Sequence, residues 1–431
     1  MRVAWLLLLI ACGGSPRAPI EWDAPRELAS GGGERGPWQQ NNSRYDHVDD
    51  PSVVLGNDGA AWIAWVDHRA KDVMFQIVER DGGSRLAAPT NVSRTPAVFS
   101  WLPRLALVDD TIHVLWQEIV FSGGSHGGEI FFARSTDRGV TFEVPRNLSS
   151  SAAGDGKGRI DGKTWNNGSF DLVTANGAVY AAWTEYEGRL WFVRSTDNGA
   201  TFSTPVAIAG DDARPARAPA LAVSPAGVHL AWTVGEDPEG DVYVATARDG
   251  ATFAAPVIVG RAGTYGDAPK LGVDASGTLH LAFAESARGP FSRFDVRYTR
   301  SRDGGRSFEE SRVVSRPHPA DTESAAFPSL AIEDTTLHVI WELYPDHREA
   351  PRGLGYVVSR DGGATFSAPS LVPGSVDPSG GGNGSFQGRL MRKIAVRDDQ
   401  VAIVNSSLAL GRGSRVWLVR GTLARATSAT R

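Results

Sequence analysis

A chain of 431 residues that is 41% hydrophobic and contains 49 glycines is long enough for one large all-β domain or two ordinary domains. The formal net charge is −5, and 5 of the 44 basic residues are lysines, the rest being scattered arginines. This charge pattern argues against a nucleic-acid partner, which would require a basic stripe for the phosphates. Because arginine is so abundant, a single arginine is weak evidence for a binding site.

The N-terminal segment combines one positive charge with an apolar run from Val3 to Ala11, which is too short to span a bilayer and is typical of a signal peptide. The run ends in LIAC, whose last residue, Cys12, is the only cysteine. This sequence resembles a bacterial lipobox, which implies a lipoprotein-type signal peptide over 1–11, a lipidated Cys12 and a short linker over 12–21. An ordinary secretory signal is the alternative, and either one places the protein outside the cytoplasm.

A short motif then recurs at intervals of roughly 50 residues, which predicts a repeat architecture. It reads STDRGVTF from Ser135, STDNGATF from Ser195, SRDGGRSF from Ser301 and SRDGGATF from Ser359, with a shorter form, ARDGATF, from Ala247 and a divergent copy, ERDGGSRL, from Glu79.

Each repeat resolves into four short apolar strands, as in PRLALV, TIHVLWQE, EIFFARS and VPRNLSS from Pro103 onward. Strands that are apolar on both faces are typical of sheets sandwiched between neighbouring sheets. Four-stranded units repeated around an axis form a β-propeller, which hides its strand edges by closing into a ring. The sequence therefore predicts an all-β propeller of four-stranded blades.

The number of blades follows from the two ends of the repeat region. Six full repeats run from Pro51 to Pro373, and three more strands begin at Arg389, Gln400 and Arg415. The missing fourth strand is supplied by APRELAS, from Ala24, which closely copies the outer strand VPRNLSS. We therefore predict seven blades over 22–423, with the N-terminal strand closing the last blade, and a disordered tail over 424–431.

The recurring motif joins the third and fourth strands of a blade. Its aspartate can accept hydrogen bonds from backbone N–H groups of its own turn, its glycine permits a positive φ, and its phenylalanine is expected to pack back into its own blade. We therefore interpret the motif aspartates as structural and not catalytic: Asp137, Asp197, Asp249, Asp303 and Asp361.

These motifs resemble Asp-boxes, also called BNR repeats, and over 22–423 the chain resembles the sialidase-like superfamily of propellers. The resemblance implies a propeller, with the six-bladed sialidase fold as the alternative to seven blades. It also implies that an enzyme of this type would be an exo-glycosidase with an arginine clamp for a sugar carboxylate, an acidic residue and a Tyr–Glu nucleophile pair. The residues that come nearest to this set are Asp67, Arg69, Arg104, Glu342, Tyr344, Arg348 and Arg389.

One departure from the sialidase pattern favours a non-catalytic protein. The Arg-Ile-Pro sequence of sialidases is absent, and its nearest equivalent is the reversed Leu102-Pro103-Arg104. The inferred seventh blade is a second departure. The preferred function is therefore a lipid-anchored module of the bacterial cell envelope, monomeric, that binds a glycan or a protein without cleaving it; a sialidase-like exo-glycosidase is the alternative.

Any site is expected on the face that carries the second-to-third-strand loops and the links between blades, opposite the motif turns. His47, His68 and His347 fall in these loops, each beside carboxylates and arginines. Such residues can hold a divalent metal or supply acid–base groups, although polar loops are also ordinary surface. No cofactor is expected, with a divalent metal at these histidines as the alternative. Two glycine-rich inserts, 150–168 and 374–388, overhang the same face as recognition loops or as slack.

Overall fold

The computed structural model describes residues 20–39, 41–95, 97–119, 128–150, 170–185, 188–211, 213–234, 240–376, 382–383 and 389–424. Within these ranges the chain is all-β and forms seven sheets arranged as blades, together with one two-stranded sheet. The predicted signal peptide, the lipidation site Cys12 and most of both glycine-rich inserts lie outside the described residues. No helix in the described part of the chain is long and apolar enough to cross a membrane.

Four short strands precede the first complete blade: β1 (Ile20–Trp22), β2 (Arg26–Gly31), β3 (Glu34–Arg35) and β4 (Tyr45–Asp46). Blade I comprises β5 (Val48–Leu55), β6 (Ala61–Asp67), β7 (Asp72–Val78) and β8 (Thr90–Asn91). Blade II comprises β9 (Ser100–Val108), β10 (Thr111–Glu118), β11 (Glu129–Ser135) and β12 (Arg146–Asn147). Blade III comprises β13 (Phe170–Ala175), β14 (Ala178–Thr184), β15 (Leu190–Ser195) and β16 (Val206–Ala209).

Blade IV comprises β17 (Ala216–Ser224), β18 (Gly227–Val234), β19 (Asp241–Ala247) and β20 (Val257–Ile258). Blade V comprises β21 (Tyr265–Val273), β22 (Leu279–Ser286), β23 (Phe294–Ser301) and β24 (Arg312–Val313). Blade VI comprises β25 (Ser324–Glu333), β26 (Thr336–Tyr344), β27 (Leu354–Ser359) and β28 (Ser370–Leu371). Blade VII comprises β29 (Gly382–Asn383), β30 (Ile394–Arg397), β31 (Gln400–Ala409) and β32 (Gly413–Leu423), joined by β1 and β2.

The innermost strands form a closed ring, since each contacts the next and β30 contacts both β25 and β5. The ring closes in blade VII, where β32 pairs with β31 on one side and with the N-terminal strands β1 and β2 on the other. Ile20 lies opposite Leu423, and Glu27 lies opposite Trp417. The predicted seven blades and the N-terminal closing strand are confirmed. The first strand begins at Ile20, two residues inside the predicted linker.

The innermost strand of five blades carries a β-bulge, and in each the residue before a proline has a positive φ of 51–65°. These residues are Asp50, Leu102, Ala218, Ala268 and Phe327. A residue before proline normally adopts extended backbone, so each bulge costs on the order of 1 kcal/mol. The bulge shifts the register and re-aims the residue that follows the proline, which is how Arg104 and Lys270 come to point at the axis.

The motif turn is closed by its own aspartate and serine. In blade V, Asp303 Oδ1 accepts hydrogen bonds from the Ser301 hydroxyl (2.7 Å) and the Ser307 N–H (3.0 Å), and the Ser307 hydroxyl donates to Oδ2 (2.6 Å). The same bonds occur at Asp137, Asp197 and Asp361. The aspartates therefore hold turns, as the sequence suggests.

The motif phenylalanine makes a contact beyond the predicted one with its own blade. It packs against the third strand of the preceding blade: Phe142 of blade II lies against Phe75 of blade I, and Phe202 of blade III against Phe132 of blade II, with ring centroids 5.6 and 4.9 Å apart. Arg134 of blade II also donates to the carbonyl of Asn198 in the blade III turn, at 3.0 Å. The motif thus joins adjacent blades, and part of the arginine excess serves these joints.

The motif aspartates make stability depend on pH. Hydrogen bonds from the backbone N–H groups of Thr252 and Ala251 lower the pKa of Asp249 to about 2, and the hydroxyl of Thr201 helps to lower the pKa of Asp197. A carboxyl with a lowered folded pKa stabilises the fold above its unfolded pKa of about 4, and the contribution is lost as pH falls through the folded value. We expect the melting temperature, followed by circular dichroism, to fall between about pH 4 and pH 2.

The matched comparison is between motif and non-motif aspartates. The melting temperature of the combined variant Asp249→Asn and Asp303→Asn should fall less over this pH interval than that of the wild type. Asp110→Asn, at an exposed ion pair with Arg138, should leave the dependence of melting temperature on pH unchanged. If melting temperature depended on pH equally in all three proteins, the motif aspartates would not be the source of this pH dependence.

Candidate functional site

The propeller axis is filled by residues 389–393, the segment that leads into β30 and that we call the axial segment. Its backbone carbonyls accept hydrogen bonds from residues of the surrounding inner strands: Lys270 Nζ donates to Leu390 O (2.6 Å), and Ser329 Oγ donates to Met391 O (2.9 Å). Leu390 and Met391 are buried among the inner strands. A cavity of about 240 Å³ lies beside this segment, bordered by Asp171, Lys270 and Arg392.

The axis is rich in buried charge. Arg392 donates two hydrogen bonds to Asp171, Nε to Oδ1 at 3.1 Å and Nη2 to Oδ2 at 2.8 Å. Burial lowers the pKa of Lys270 to about 7 and that of Arg104 to about 10, and in both cases the Asp171 carboxylate acts in the opposite direction. Asp171 is therefore the anion shared by the partly exposed Arg392 and the buried Arg104 and Lys270.

Arg104, predicted as part of a sugar clamp, is a core residue. Its guanidinium is fully buried, lies 5.0 Å from the Phe170 ring centroid and donates to the sulfur of Met391 and the carbonyl of Leu102. We use the name loop face for the face that carries the second-to-third-strand loops and the links between blades. The bulge at Leu102 turns the Arg104 side chain toward the axis and away from this loop face. Arg104 is therefore not exposed on the loop face in this structure.

Glu342 and Tyr344 share one face of β26 but do not form an activated pair. Glu342 is 2% exposed and is ion-paired with Lys393, which also donates to Asn405 Oδ1 at 2.9 Å. Tyr344 is buried against Phe294 and Phe327, and its hydroxyl has no hydrogen-bond partner among the described residues. Burial raises the pKa of Tyr344. A nucleophilic tyrosine needs an adjacent base to take its proton, and the described residues provide none.

The remaining predicted catalytic residues lie apart. Asp67 Oδ1 accepts hydrogen bonds from the N–H groups of Arg69 (3.0 Å) and Ala70 (3.1 Å), so it caps its own turn, and the Arg69 side chain is exposed. Arg389 is exposed and lies over the Phe327 ring at 5.4 Å. The structure brings Arg389 near Tyr344, but it does not assemble the sialidase-like set.

Arg348 contributes to a different feature, a cleft of about 580 Å³ on the loop face between blades V and VI, which we call the arginine cleft. Six arginines line it, with two carboxylates, Glu285 and Asp295, and His347; the arginines are Arg261, Arg288, Arg293, Arg297, Arg316 and Arg348. The two carboxylates engage three of the arginines: Asp295 pairs with Arg316 at 2.7 Å, and Glu285 with Arg261 and Arg297. Arg288 and Arg348 are exposed and have no ion-pair partner within the described ranges.

The three predicted metal-binding histidines divide into two clusters. His47 and His68 lie together with Asp49, and their ligand atoms are within 4.8 Å of one another; all three side chains are buried. His347 belongs to a second, partly exposed group with Glu323 and Asp346.

Several residues of these sites escaped sequence reasoning. Asp171, Lys270 and Lys393 look like ordinary strand or strand-flanking residues in one dimension. The scarcity of lysine was an available signal, because two of only five lysines, Lys270 and Lys393, are buried at the axis. Asp67 at the end of the second strand of blade I binds backbone N–H groups. The equivalent acids of blades V and VI, Glu285 and Glu342, instead pair with basic side chains.

No family model and no curated protein matches the chain. Among solved structures it is similar to a PL25 ulvan lyase, a polysaccharide lyase bound to -[GlcA(1-4)Rha3S]-, with TM-score 0.57 and 14% identity over 86% of this chain and 93% of that one. It is also similar to the polysaccharide lyase Uly1, with TM-score 0.53 and 12% identity over 87% and 90%. A protein of unknown function from Dyadobacter fermentans gives TM-score 0.51 and 13% identity over 77% and 97%. At these identities the similarity is one of fold.

Proposed function

We propose that this propeller is a non-catalytic module of the bacterial cell envelope, anchored through a lipid on Cys12, that binds an acidic glycan in the arginine cleft. The observation that carries the proposal is the charge of the cleft. Six arginines line the cleft with two carboxylates, and a third carboxylate, Glu323, pairs with Arg293 at 2.7 Å, although the chain as a whole is acidic, with a net charge of −5. A concave site of one sign in a protein of the opposite sign concentrates an oppositely charged ligand.

The chemistry of the cleft suits carboxylate or sulfate groups on a sugar. A guanidinium offers a planar fork of donors that matches such groups in two-point contacts. Arg288 and Arg348 are exposed, so they are available to a ligand, while Arg316 and Arg261 are held in place by Asp295 and Glu285. Fixed arginines reduce the ordering cost of binding.

The absence of an assembled sialidase-like set among the described residues supports binding without cleavage. As part of this proposal, we assign the turn motifs to the Asp-boxes of the sialidase-like superfamily. The hydrogen-bonded turn at Asp303 supports this assignment. Labelling with palmitate tests the anchor: the wild type should incorporate the label, and the Cys12→Ser variant should not.

The second candidate is a glycan-cleaving enzyme. It is favoured by one observation, the similarity of fold to two polysaccharide lyases, one of them bound to an acidic saccharide. Catalysis in this chain would then use exposed residues such as Arg389 and Arg348.

The test is a glycan array of sialylated, uronic-acid-containing, sulfated and neutral glycans, scored for both retention and cleavage. We expect retention of acidic glycans, weakened by salt, without cleavage. The double variant Arg288→Ala and Arg348→Ala should bind at least tenfold more weakly, since it removes two charged contacts. Arg138→Ala, which removes one exposed arginine from a motif turn on the opposite face, should bind as the wild type does. Undiminished binding by the double variant would contradict the cleft assignment, and cleavage would favour the enzyme.

A further inference from the structure

His47, Asp49 and His68 are held together by the backbone of blade I. His47 immediately precedes β5 and His68 immediately follows β6, and these two strands pair with Val48 opposite Asp67. The backbone N–H of His68 donates to the carbonyl of His47 at 3.0 Å. The two imidazole rings are therefore stacked, with centroids 3.9 Å apart and ring planes inclined by 23°.

His68 has a buried side chain whose polar atoms are unsatisfied. It is 2% exposed, and neither ring nitrogen has a hydrogen-bond partner among the described residues. Its neighbours include the aromatic rings of Tyr45, Phe99 and Trp101, at centroid distances of 6.0–6.2 Å. A buried nitrogen without a hydrogen-bond partner destabilises the fold, because the nitrogen has lost its hydration without compensation. Phenylalanine would fit such surroundings without that cost, so the imidazole requires an explanation beyond packing.

His47 and Asp49 have the orientation that metal ligands require. His47 Nδ1 lies 3.3 Å from the carbonyl oxygen of Glu34, so Nδ1–H can donate to this oxygen and leave the lone pair on Nε2. Asp49 Oδ1 accepts hydrogen bonds from the Ser406 hydroxyl (2.5 Å) and the Asp50 N–H (2.8 Å).

We propose that His47, Asp49 and His68 form a binding site for a divalent cation of the zinc class. Two imidazole nitrogens and one carboxylate are ligands that Zn²⁺ prefers, and three protein ligands leave a coordination position for water or another small ligand. Ligand atoms around tetrahedral zinc are separated by about 3.3 Å. The three ligand atoms lie within 4.8 Å of one another, so each pair must approach by at most about 1.5 Å to reach this spacing.

The site lies where the ring closes. Asp49 is bonded to Ser406 of β31, and the Val48 N–H donates to the Ser414 hydroxyl of β32 at 2.9 Å. A cation at Asp49 and His68 would therefore stabilise the junction of blades I and VII. This role is independent of glycan binding, since the arginine cleft lies between blades V and VI.

The experiment uses the purified chain without a polyhistidine tag, freed of metal by a chelator and titrated with ZnCl₂ by calorimetry. We expect one Zn²⁺ per chain and a higher melting temperature with Zn²⁺ than with chelator. Asp49→Asn and His68→Phe should weaken binding at least 100-fold. His347→Ala, a histidine in the other cluster, should bind Zn²⁺ as the wild type does. Co²⁺ should give visible absorption bands in the wild type that are absent in His68→Phe.

His68→Phe also separates loss of a ligand from loss of the fold. In the absence of metal it should melt at or above the wild-type temperature, because it replaces unsatisfied nitrogens by a ring that suits the aromatic neighbours. Failure of the wild type to bind stoichiometric Zn²⁺, or equal affinity in a folded His68→Phe protein, would overturn the proposal and leave buried water as the partner of His68.

Discussion

Replacing Asp171 by asparagine is expected to lower the free energy of unfolding by about 3–5 kcal/mol, the cost of breaking a buried ion pair by removing one partner. Asp171 accepts two hydrogen bonds from Arg392 and a third from the Leu221 N–H, at 2.8 Å. Its carboxylate also favours the charged forms of Arg104 and Lys270. The substitution therefore leaves a group of buried cations without the anion that they share.

Denaturant titration followed by tryptophan fluorescence measures this effect as a shift of the unfolding midpoint. Asp110→Asn, which breaks an exposed pair with Arg138 in which both side chains are more than half exposed, is the control and should cost about 1 kcal/mol or less. A combined Asp171→Leu and Arg392→Met variant should recover part of the loss, because it removes both charges together. A midpoint for Asp171→Asn equal to that of Asp110→Asn would show that the axial cations do not depend on this carboxylate.

The second large effect is expected at the ring closure, where Ile20→Ala should cost about 2–5 kcal/mol. Ile20 is 2% exposed and packs between blades VI and VII with Tyr356 and Leu423. Gly421 lies so close to Ile20 and Trp22 that a Cβ at this position would meet both side chains, which shows how tightly β1 is seated. The cavity left by truncation would therefore not collapse readily.

The same denaturant titration tests this second prediction. Val206→Ala, in the outer strand of blade III, is the matched control, because Val206 is 51% exposed and its truncation should change the free energy of unfolding by less than about 0.5 kcal/mol. If Ile20→Ala costs no more than Val206→Ala, the N-terminal strand does not hold blade VII in solution.

The blade count could be predicted from sequence because it depends on local signals that repeat: short apolar strands, a turn motif and an outer strand copied at the N-terminus. The site could not be predicted to the same extent. Arg104 follows a proline in an apolar strand, and only the bulge at Leu102 decides that its side chain points to the axis. His47 and His68 could be assigned to one face from sequence, because the order of the strands determines the face on which each loop lies. The position of Asp49 beside them depends on the register of β5 and β6, which the sequence does not show.

The motif phenylalanines show the same limit in another way. Sequence places Phe142 beside its own turn, and its contact with the preceding blade depends on how adjacent blades are rotated. The structure shows that Phe142 packs on Phe75 of the preceding blade. The rotation between adjacent blades is determined by their packing in the ring, so the sequence of a single repeat does not predict it.

The axial segment has a consequence for the order in which the chain is made. Residues 389–393 emerge from the ribosome after blades I to VI, and they supply Arg392 to Asp171 of blade III and Lys393 to Glu342 of blade VI. Until then the earlier blades carry charges at their centre whose partners have not been synthesised. We expect a ribosome-bound chain arrested before residue 389 to remain sensitive to protease, and one arrested well beyond residue 424 to become resistant. The propeller would then be completed only after residues 389–424 have left the ribosome.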